Sequence, residues 1–550
     1  MKILWLDLNC SYAHSSLALP ALHAQVMHRS DVEWSVVRTT TSESVGVVVD
    51  AIYAQCPDVV AATAWLFTHE QLLHIISRVK ALMPHVRVIL GGPEFLGDNE
   101  RYLLSHPEVD CVLRGEGEES FALWLDVWDN PAEWGSISGL CYLDKGDIQS
   151  PIYKDGAIAR VIDFASLHTP EESFLFTWSK PFVQLETTRG CFNTCAFCVS
   201  GMGDPVRQLS IDTIRARLNH IRERGIRDVR ILDRTFNYHP RRAIDLLRLF
   251  AEYHPHLRFH LEIHPALLPE SVREVLSEMP SGLLHLEAGI QSLRQEVLDG
   301  SLRKGSLEQS LDGLRYLCSL PNLVTHADLI AGLPHYALAQ IYEDIHTLAQ
   351  YNAGEIQLES LKLLPGTLMR READRLGIRY SPLPPYEVLA SDAISSAELQ
   401  EARRLSRLLD AYYNTEAWQP LTRRLILSEA DFLHRFLEYL TLHNYIDQPM
   451  SLERRGELLY LFCREHYPHY TIDATVAWIE AGMSLKKRPA EGVRTKHVQP
   501  LDTWTILRGE YSERLRLCYL PVGDEGCGYW FGYDSTTQCP VPVFKAMSGV

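Results

Sequence analysis

Residues 182–201 read FVQLETTRGCFNTCAFCVSG, an apolar run that passes through a polar turn into Cys191, Cys195 and Cys198 at C-x3-C-x2-C spacing. The run 182–188 has the length and β-branched content of a strand. Three thiols therefore sit in one loop at its carboxyl end. Thiolates are the ligands of iron–sulfur clusters, and so compact a loop can wrap three corners of a cubane, leaving one iron without a protein ligand. A structural zinc site is the plainer alternative. It normally closes a shell of four ligands, and the nearby His168 and His220 have no finger-like spacing to the cysteines.

Toward the carboxyl terminus the alternation recurs. Strands are expected at 182–188, 228–233, 258–263, 284–288, 324–330 and 355–361, with helices at 211–225, 241–253, 269–279, 307–319 and 338–351. Six such units over about 190 residues suit a partial barrel better than the full eight-unit barrel of about 250, with the chemistry at the strand carboxyl ends.

Toward the amino terminus a second alternating block places strands at 2–8, 32–38, 58–62, 86–90 and 109–113, with helical patterns such as 69–82 between them. This implies a parallel, doubly wound Rossmann- or flavodoxin-like sheet with right-handed crossovers, binding its ligand at the strand carboxyl ends. Those ends carry residues 9–16 with His14, then Thr63-Ala64-Trp65, Gly91-Gly92-Pro93-Glu94 and Arg114-Gly115-Glu116-Gly117-Glu118. Glycine admits a ligand close to the backbone, and N–H groups at a helix start attract anions. One such loop is as readily a tight turn; several on one edge favour a ligand.

The expected organisation is a doubly wound α/β domain at 1–130, a linker at 131–181 with a small hairpin near 139–152, a partial barrel at 182–380, and a mixed, mainly helical region at 381–550. In that last region helices are expected at 398–413, 421–425, 430–442 and 452–466, then short strands bearing Trp504, Tyr519, Trp530, Phe531 and Tyr533. The 550 residues, 46% hydrophobic and 22% charged, fit a globular chain of three or four domains. A formal charge of −17 makes nucleic acid an unfavoured partner. No apolar stretch reaches the ~18 residues of a membrane span, and MKILWLDLNCSYAHSS lacks the plan of a signal peptide. The expectation is a cytoplasmic protein whose 12 cysteines are reduced.

A CxxxCxxC loop after the first strand of a six-unit barrel, with Phe197 before the last cysteine, resembles the radical S-adenosylmethionine (SAM) superfamily. Three later segments resemble it too: Glu287-Ala288-Gly289-Ile290-Gln291-Ser292, Asp328-Leu329-Ile330-Ala331-Gly332-Leu333-Pro334, where His335-Tyr336 replaces the usual Gly-Glu, and Leu361-Lys362-Leu363-Leu364-Pro365-Gly366-Thr367. The resemblance implies that Cys191, Cys195 and Cys198 hold a 4Fe–4S cluster whose open iron is chelated by SAM. It also implies that Phe197, Glu287, Gly289, Gln291, Ser292 and Gly332 line the SAM pocket. Asp233, in Asp233-Arg234-Thr235-Phe236-Asn237, resembles a pocket segment of one subfamily; an ordinary turn is the alternative.

The amino-terminal block resembles the cobalamin-binding domain of one class of these enzymes, including members with a long carboxyl-terminal domain. That likeness implies a cobalamin site built by His14, Thr63, Ala64, Gly91, Gly92, Pro93, Glu94, Gly115 and Glu116. No D-x-H-x-x-G occurs, so the cobalt ligand is open, with His14 one candidate. The expected activity is radical functionalisation of a small-molecule or peptide-like substrate, with methylation of an unactivated carbon or a cobalamin-assisted cyclisation, rearrangement or redox step as alternatives. An external donor such as flavodoxin or ferredoxin would supply electrons. A tRNA methylthiotransferase is the rival, since Cys10, Cys56 and Cys111 superficially offer that family's second triad; their strand positions argue against convergence. A non-catalytic cobalamin or Fe–S sensor ranks last, because it leaves the SAM-pocket segments without a purpose.

Overall fold

The computed structural model describes residues 1–14, 16–144, 151–201, 203, 205–483, 515–522 and 527–534. They form two compact units, one of Met1–Leu338 with Ser360–Leu399 and one of Ala339–Glu359 with Gln400–Val550.

The first unit opens with strands β1 (Lys2–Asn9), β2 (Glu33–Thr40), β3 (Val59–Thr63), β4 (Arg87–Gly91) and β5 (Cys111–Leu113). They lie parallel in the order β2-β1-β3-β4-β5. Alternate residues of β1 and β3 feed two cores. Leu4, Leu6, Leu8, Val60 and Ala62 meet Leu72, Ile75, Ile76 and Val79 of helix His69–Leu82. On the opposite face, Ile3, Trp5, Val59 and Ala61 share a core with Leu19, Phe121 and Trp124. A sheet covered on both faces needs such continuously apolar strands, and the order reversal beside β1 opens a crevice at the carboxyl edge.

The stretch 131–181, expected as a linker, extends this sheet. Strands β6 (Leu140–Asp144) and β7 (Ile152–Lys154) continue it antiparallel beyond β5. Cys141 and Tyr142 of β6 are buried in the two cores, which an irregular Gly- and Pro-punctuated sequence conceals.

Five strands of the second alternation follow in the same unit: β8 (Phe182–Leu185), β9 (Asp228–Ile231), β10 (Arg258–Ile263), β11 (Leu284–Gln291) and β12 (Val324–Ala331). Each pairs in parallel with the next. Phe259, Leu261 and Ile263 turn toward the helices, where Phe259 stacks on Phe250 at 4.0 Å. His260 and Glu262 take the other face by the period of two. Residues 381–399, expected in the carboxyl-terminal region, pack with this unit instead. Leu363 N–H donates to Tyr386 O and Val388 N–H to Leu361 O, so the chain doubles back on the segment that follows the barrel.

The second unit holds strand β13 (Glu355–Ser360, its last residue in the first unit) and helices including Gln419–Ser428, Phe432–Leu442, Leu452–His466 and Thr471–Glu480. Asn414 donates to Ile356 O and accepts from Ile356 N–H, covering strand backbone that would otherwise be an open edge. Phe436 packs on Phe462 at 4.7 Å, and Gly456 admits Trp418, whose ring would stand 2.3 Å from a Cβ there. Strands Leu515–Val522 and Cys527–Asp534 pair antiparallel; Trp504 lies outside the described residues.

Candidate functional site

The cysteine loop hangs from β8 by a fixed neck. Asp233, just beyond β9 and 1% exposed, accepts from the backbone N–H groups of Thr187 and Thr188 at 2.8 Å each and from the Thr187 hydroxyl. Its carboxylate thus joins the first two strand exits. Thr188–Arg189 then pairs antiparallel with Arg207–Gln208, closing the loop at its base. Within it, Cys198 N–H donates to Cys195 O and Gly201 N–H to Cys198 O, and a Cβ on Gly201 would lie 2.2 Å from Cys195 O.

Residues 301–304 brace the loop from outside. Ala196 N–H donates to Ser301 O at 2.8 Å, and Asn193 Oδ1 accepts from Lys304 N–H at 3.0 Å. Arg303 Nη1 points at Cys195 Sγ at 3.7 Å while the same guanidinium donates to Gly289 O. Burial pushes the Cys195 thiol up; Arg303 opposes this, and Cys198 and Cys191 add to it. The Cys198 thiol is raised chiefly by burial as well. The three sulfurs thus share one field. A structural zinc ion normally closes a shell of four ligands, whereas a polynuclear cluster suits a three-thiol donor set.

Beside this loop, the open face of the barrel strands is polar. In register across β10, β11 and β12 stand Glu262, Glu287 and His326. Glu287 accepts a bond from His260 Nε2 at 2.8 Å, and His326 faces Asp328 at 3.1 Å. His260 holds Glu287 below the usual carboxylate range, whereas burial lifts Glu262 to about 7, with Arg234 opposing. A bulge at Gly289 turns Gln291 into the left-handed region at φ 73°, and Gln291 Nε2 fills the space a Cβ at Gly289 would take. Ser292 is buried, Phe197 half-buried, and Gly332 adopts φ 94°. His260 and Glu262 escaped the sequence reading although their alternation with Phe259, Leu261 and Ile263 carried the signal. Arg303 and Lys304 had none.

The carboxyl edge of the first sheet behaves differently. Gly92, at φ 110°, lies so close to β3 that a Cβ would stand 2.7 Å from Thr63 Cγ2 and 2.8 Å from Ala64 O; Ala64 N–H donates to Gly91 O. After Pro93, buried Glu94 accepts the Tyr386 hydroxyl, and burial raises its carboxyl. Gly115 and Glu116 are occupied by residues 159–161 and by arginines. Gly92, Glu94, Gly115 and Glu116, expected to face a cofactor, each make these contacts with the chain itself. What stays open is aromatic: Tyr12, Trp65 and Phe67 are 73%, 42% and 60% exposed. His14 is exposed too, its Nδ1 2.7 Å from Ser11 Oγ.

Three family models match: the radical SAM superfamily over 185–348, the B12 binding domain over 12–124, and a protein of unknown function (DUF4080) over 374–477. The chain thus carries a radical SAM domain, preceded by a B12-binding domain. Among curated relatives, an uncharacterised methyltransferase of Pyrococcus horikoshii is 25% identical over 47% of this chain and 57% of its own. The cobalamin-dependent radical SAM methyltransferase TokK of Streptomyces tokunonensis is 23% identical over 60% and 51%. A tRNA-2-methylthio-N(6)-dimethylallyladenosine synthase of Saccharophagus degradans is 27% identical over 48% and 56%. The chain spans about half the length of these relatives. The cobalamin-dependent radical enzyme OxsB, solved with aqua-cobalamin and SAM, shares the fold with a TM-score of 0.61 at 12% identity, over 89% of this chain and 82% of its own.

Proposed function

We propose that this protein is a cobalamin-dependent radical SAM enzyme that reductively cleaves SAM and functionalises a substrate carbon, with methyl transfer as the leading outcome. The carrying observation is the loop of Cys191, Cys195 and Cys198, three thiols at C-x3-C-x2-C spacing that share one environment at the exit of the first barrel strand. When bound, a 4Fe–4S cluster supplies a low-potential electron for SAM cleavage, and cobalamin supplies a one-carbon or redox partner.

The chain's own residues do the positioning. The three cysteines hold the cluster, and Arg303 directs positive charge at Cys195. Phe197, Glu287, Gly289, Gln291, Ser292 and Gly332 line the SAM side, with Glu287 kept ionised by His260 and Glu262 able to carry a proton near neutral pH. Asp233 fixes the loop's neck. Tyr12, Trp65, Phe67 and His14 offer cobalamin an aromatic shelf, with Thr63, Ala64, Gly91 and Pro93 at its base. An external one-electron carrier of the flavodoxin or ferredoxin kind is the proposed partner.

The names of the methyltransferase relatives support methyl transfer. The methylthiotransferase reading requires a second cysteine triad, and the strand ends oppose it. Cys10 follows β1 at the carboxyl edge, Cys56 precedes β3 at the opposite edge, and Cys111 is buried within β5. The first two are separated by the length of an eight-residue strand, about 26 Å. Among the described residues no helix is long and apolar enough to cross a membrane.

Anaerobic reconstitution with iron, sulfide and corrinoid counted, then assay for 5′-deoxyadenosine and S-adenosylhomocysteine, tests the reading. Alanine at Cys191, Cys195 or Cys198 should abolish cluster binding and SAM cleavage, and Cys463→Ala should leave both intact. Retained cleavage in the first set refutes the assignment. Deoxyadenosine without homocysteine product, in the presence of substrate, moves it to non-methylating chemistry.

A further inference from the structure

The polar loop leaving β5 is a clasp. Gly115 takes φ 101° because residue 159 runs alongside it as a bridge partner, where a Cβ would stand 2.4 Å from Ala159 O. The same segment delivers Val161 N–H to Glu116 Oε2 at 2.9 Å. Glu116 then grips Arg207, Oε1 to Nη2 at 2.5 Å and Oε2 to Nη1 at 2.8 Å, and lies 3.5 Å from Arg189. Glu118 takes Arg189 Nη1 at 2.9 Å, and Glu186 takes its Nη2 at 2.7 Å. The Arg189 guanidinium also covers the Phe164 ring at 4.4 Å.

Arg189 and Arg207 face each other on the short ladder that closes the cysteine loop. The glutamates thus hold both sides of its neck, Arg189 being separated from Cys191 by Gly190 alone. Side-chain exposures of 9 to 22% across the set keep these pairs from the full solvent screening that weakens surface ion pairs. A second bolt runs parallel: buried Arg217 pairs with Glu171 at 2.8 Å and donates to Glu186 O at 3.2 Å.

We propose that Glu116 and Glu118 are positioning residues for the cysteine loop, acting through Arg189 and Arg207 to fix its neck against the carboxyl edge of the first sheet. The cysteines are thereby set at one place relative to whatever that edge binds. This consequence rests on the cluster reading above; the clasp does not.

The test uses the full chain without metal. Limiting anaerobic alkylation by iodoacetamide, followed at each cysteine by mass spectrometry, compares wild type with the Glu116→Gln/Glu118→Gln double variant. Cys191, Cys195 and Cys198 should react at least about fivefold faster in the variant through local opening, with Cys318 and Cys463 unchanged. Glu118→Asp, which keeps the charge, should hold the rate near that of wild type. Equal rates in wild type and double variant overturn the proposal. So does acceleration at all five cysteines, which would mean general loosening. In reconstituted protein, the double variant should also show an altered electron paramagnetic resonance response of the reduced cluster to SAM, and an identical response overturns the claim. A wild-type chain that takes up no cluster would sink the proposed function, while the alkylation rates would still decide the clasp.

Discussion

The carboxyl edge of the first sheet and that of the barrel are both crowded with polar residues, and they use them in opposite ways. On the barrel, Glu262, Glu287 and Asp328 point to the open face, with histidines as their close neighbours. On the first sheet, Glu94, Glu116 and Glu118 are each met by a group from another segment: Tyr386, Arg207 and Arg189. A carboxylate that must leave bulk water takes whatever cation or donor the fold brings to it. Polarity at a strand exit therefore marks an edge as a contact surface, and the rest of the chain decides whether the contact is with a ligand or with itself.

Asp233 is where the two edges can be compared most sharply, since it belongs to the barrel but behaves like the first sheet. Asp233→Ala would orphan two backbone N–H groups and a hydroxyl, a cost of about 3 to 5 kcal/mol at typical penalties for buried unsatisfied donors. Urea unfolding of the metal-free chain measures this, and Asp233→Asn, which keeps one acceptor, should lose less. A loss below about 1 kcal/mol would return Asp233 to the pool of ligand-facing residues.

The legibility of these edges follows the same division. The cysteine loop, the parallel strands of both sheets and helices such as His69–Leu82, Leu307–Ser319 and Leu452–His466 are written in local periodicity and spacing, and the sequence reading places them correctly. The hairpin expected near 139–152 is present as β6 and β7, but its addition to the first sheet beyond β5 by antiparallel pairing is not disclosed by local pattern. Helix Thr471–Glu480 was also missed; seven of its ten residues are buried, so it has no polar stripe to set a period. Arg189 and Glu116 were both visible as residues, but their meeting spans 73 positions and exists only in three dimensions.

The next effect in size tests whether a glycine on the first sheet serves a ligand or the chain. Gly92→Ala places a Cβ against Ala64 O at 2.8 Å in a backbone conformation almost restricted to glycine, so about 2 to 3 kcal/mol should be lost without any cofactor present. Thermal melting of the corrinoid-free chain reads it. Gly91→Ala, where the nearest atom is 4.0 Å away, should cost under about 1 kcal/mol, and equal losses would dissolve the distinction.

The smallest effect is a pH dependence with a counterpart in each region. His69, at the start of the helix His69–Leu82 that covers the first sheet, hydrogen-bonds Tyr102 at 3.1 Å, and burial, aided by His106, pushes it down to about 4. His264 in the barrel is pushed to about 4 by burial and then by Arg303. Each is neutral when folded, while the unfolded chain takes a proton near 6.5, so the stabilisation is complete above that value and fades as pH falls toward 4. At pH 5 each should have cost about 2 kcal/mol relative to pH 7.5. Subtracting the unfolding curves of His69→Gln and His264→Gln from wild type at both pH values isolates the two terms. His264 packs against Phe192 of the cysteine loop at 6.0 Å, so its acid opening should be accompanied by faster alkylation of Cys191. His69 opens helix His69–Leu82 against Tyr102, and its protonation should leave that rate unchanged. A parallel rise at Cys191 in both cases would mean that the two edges open as one cooperative body rather than as separately held surfaces.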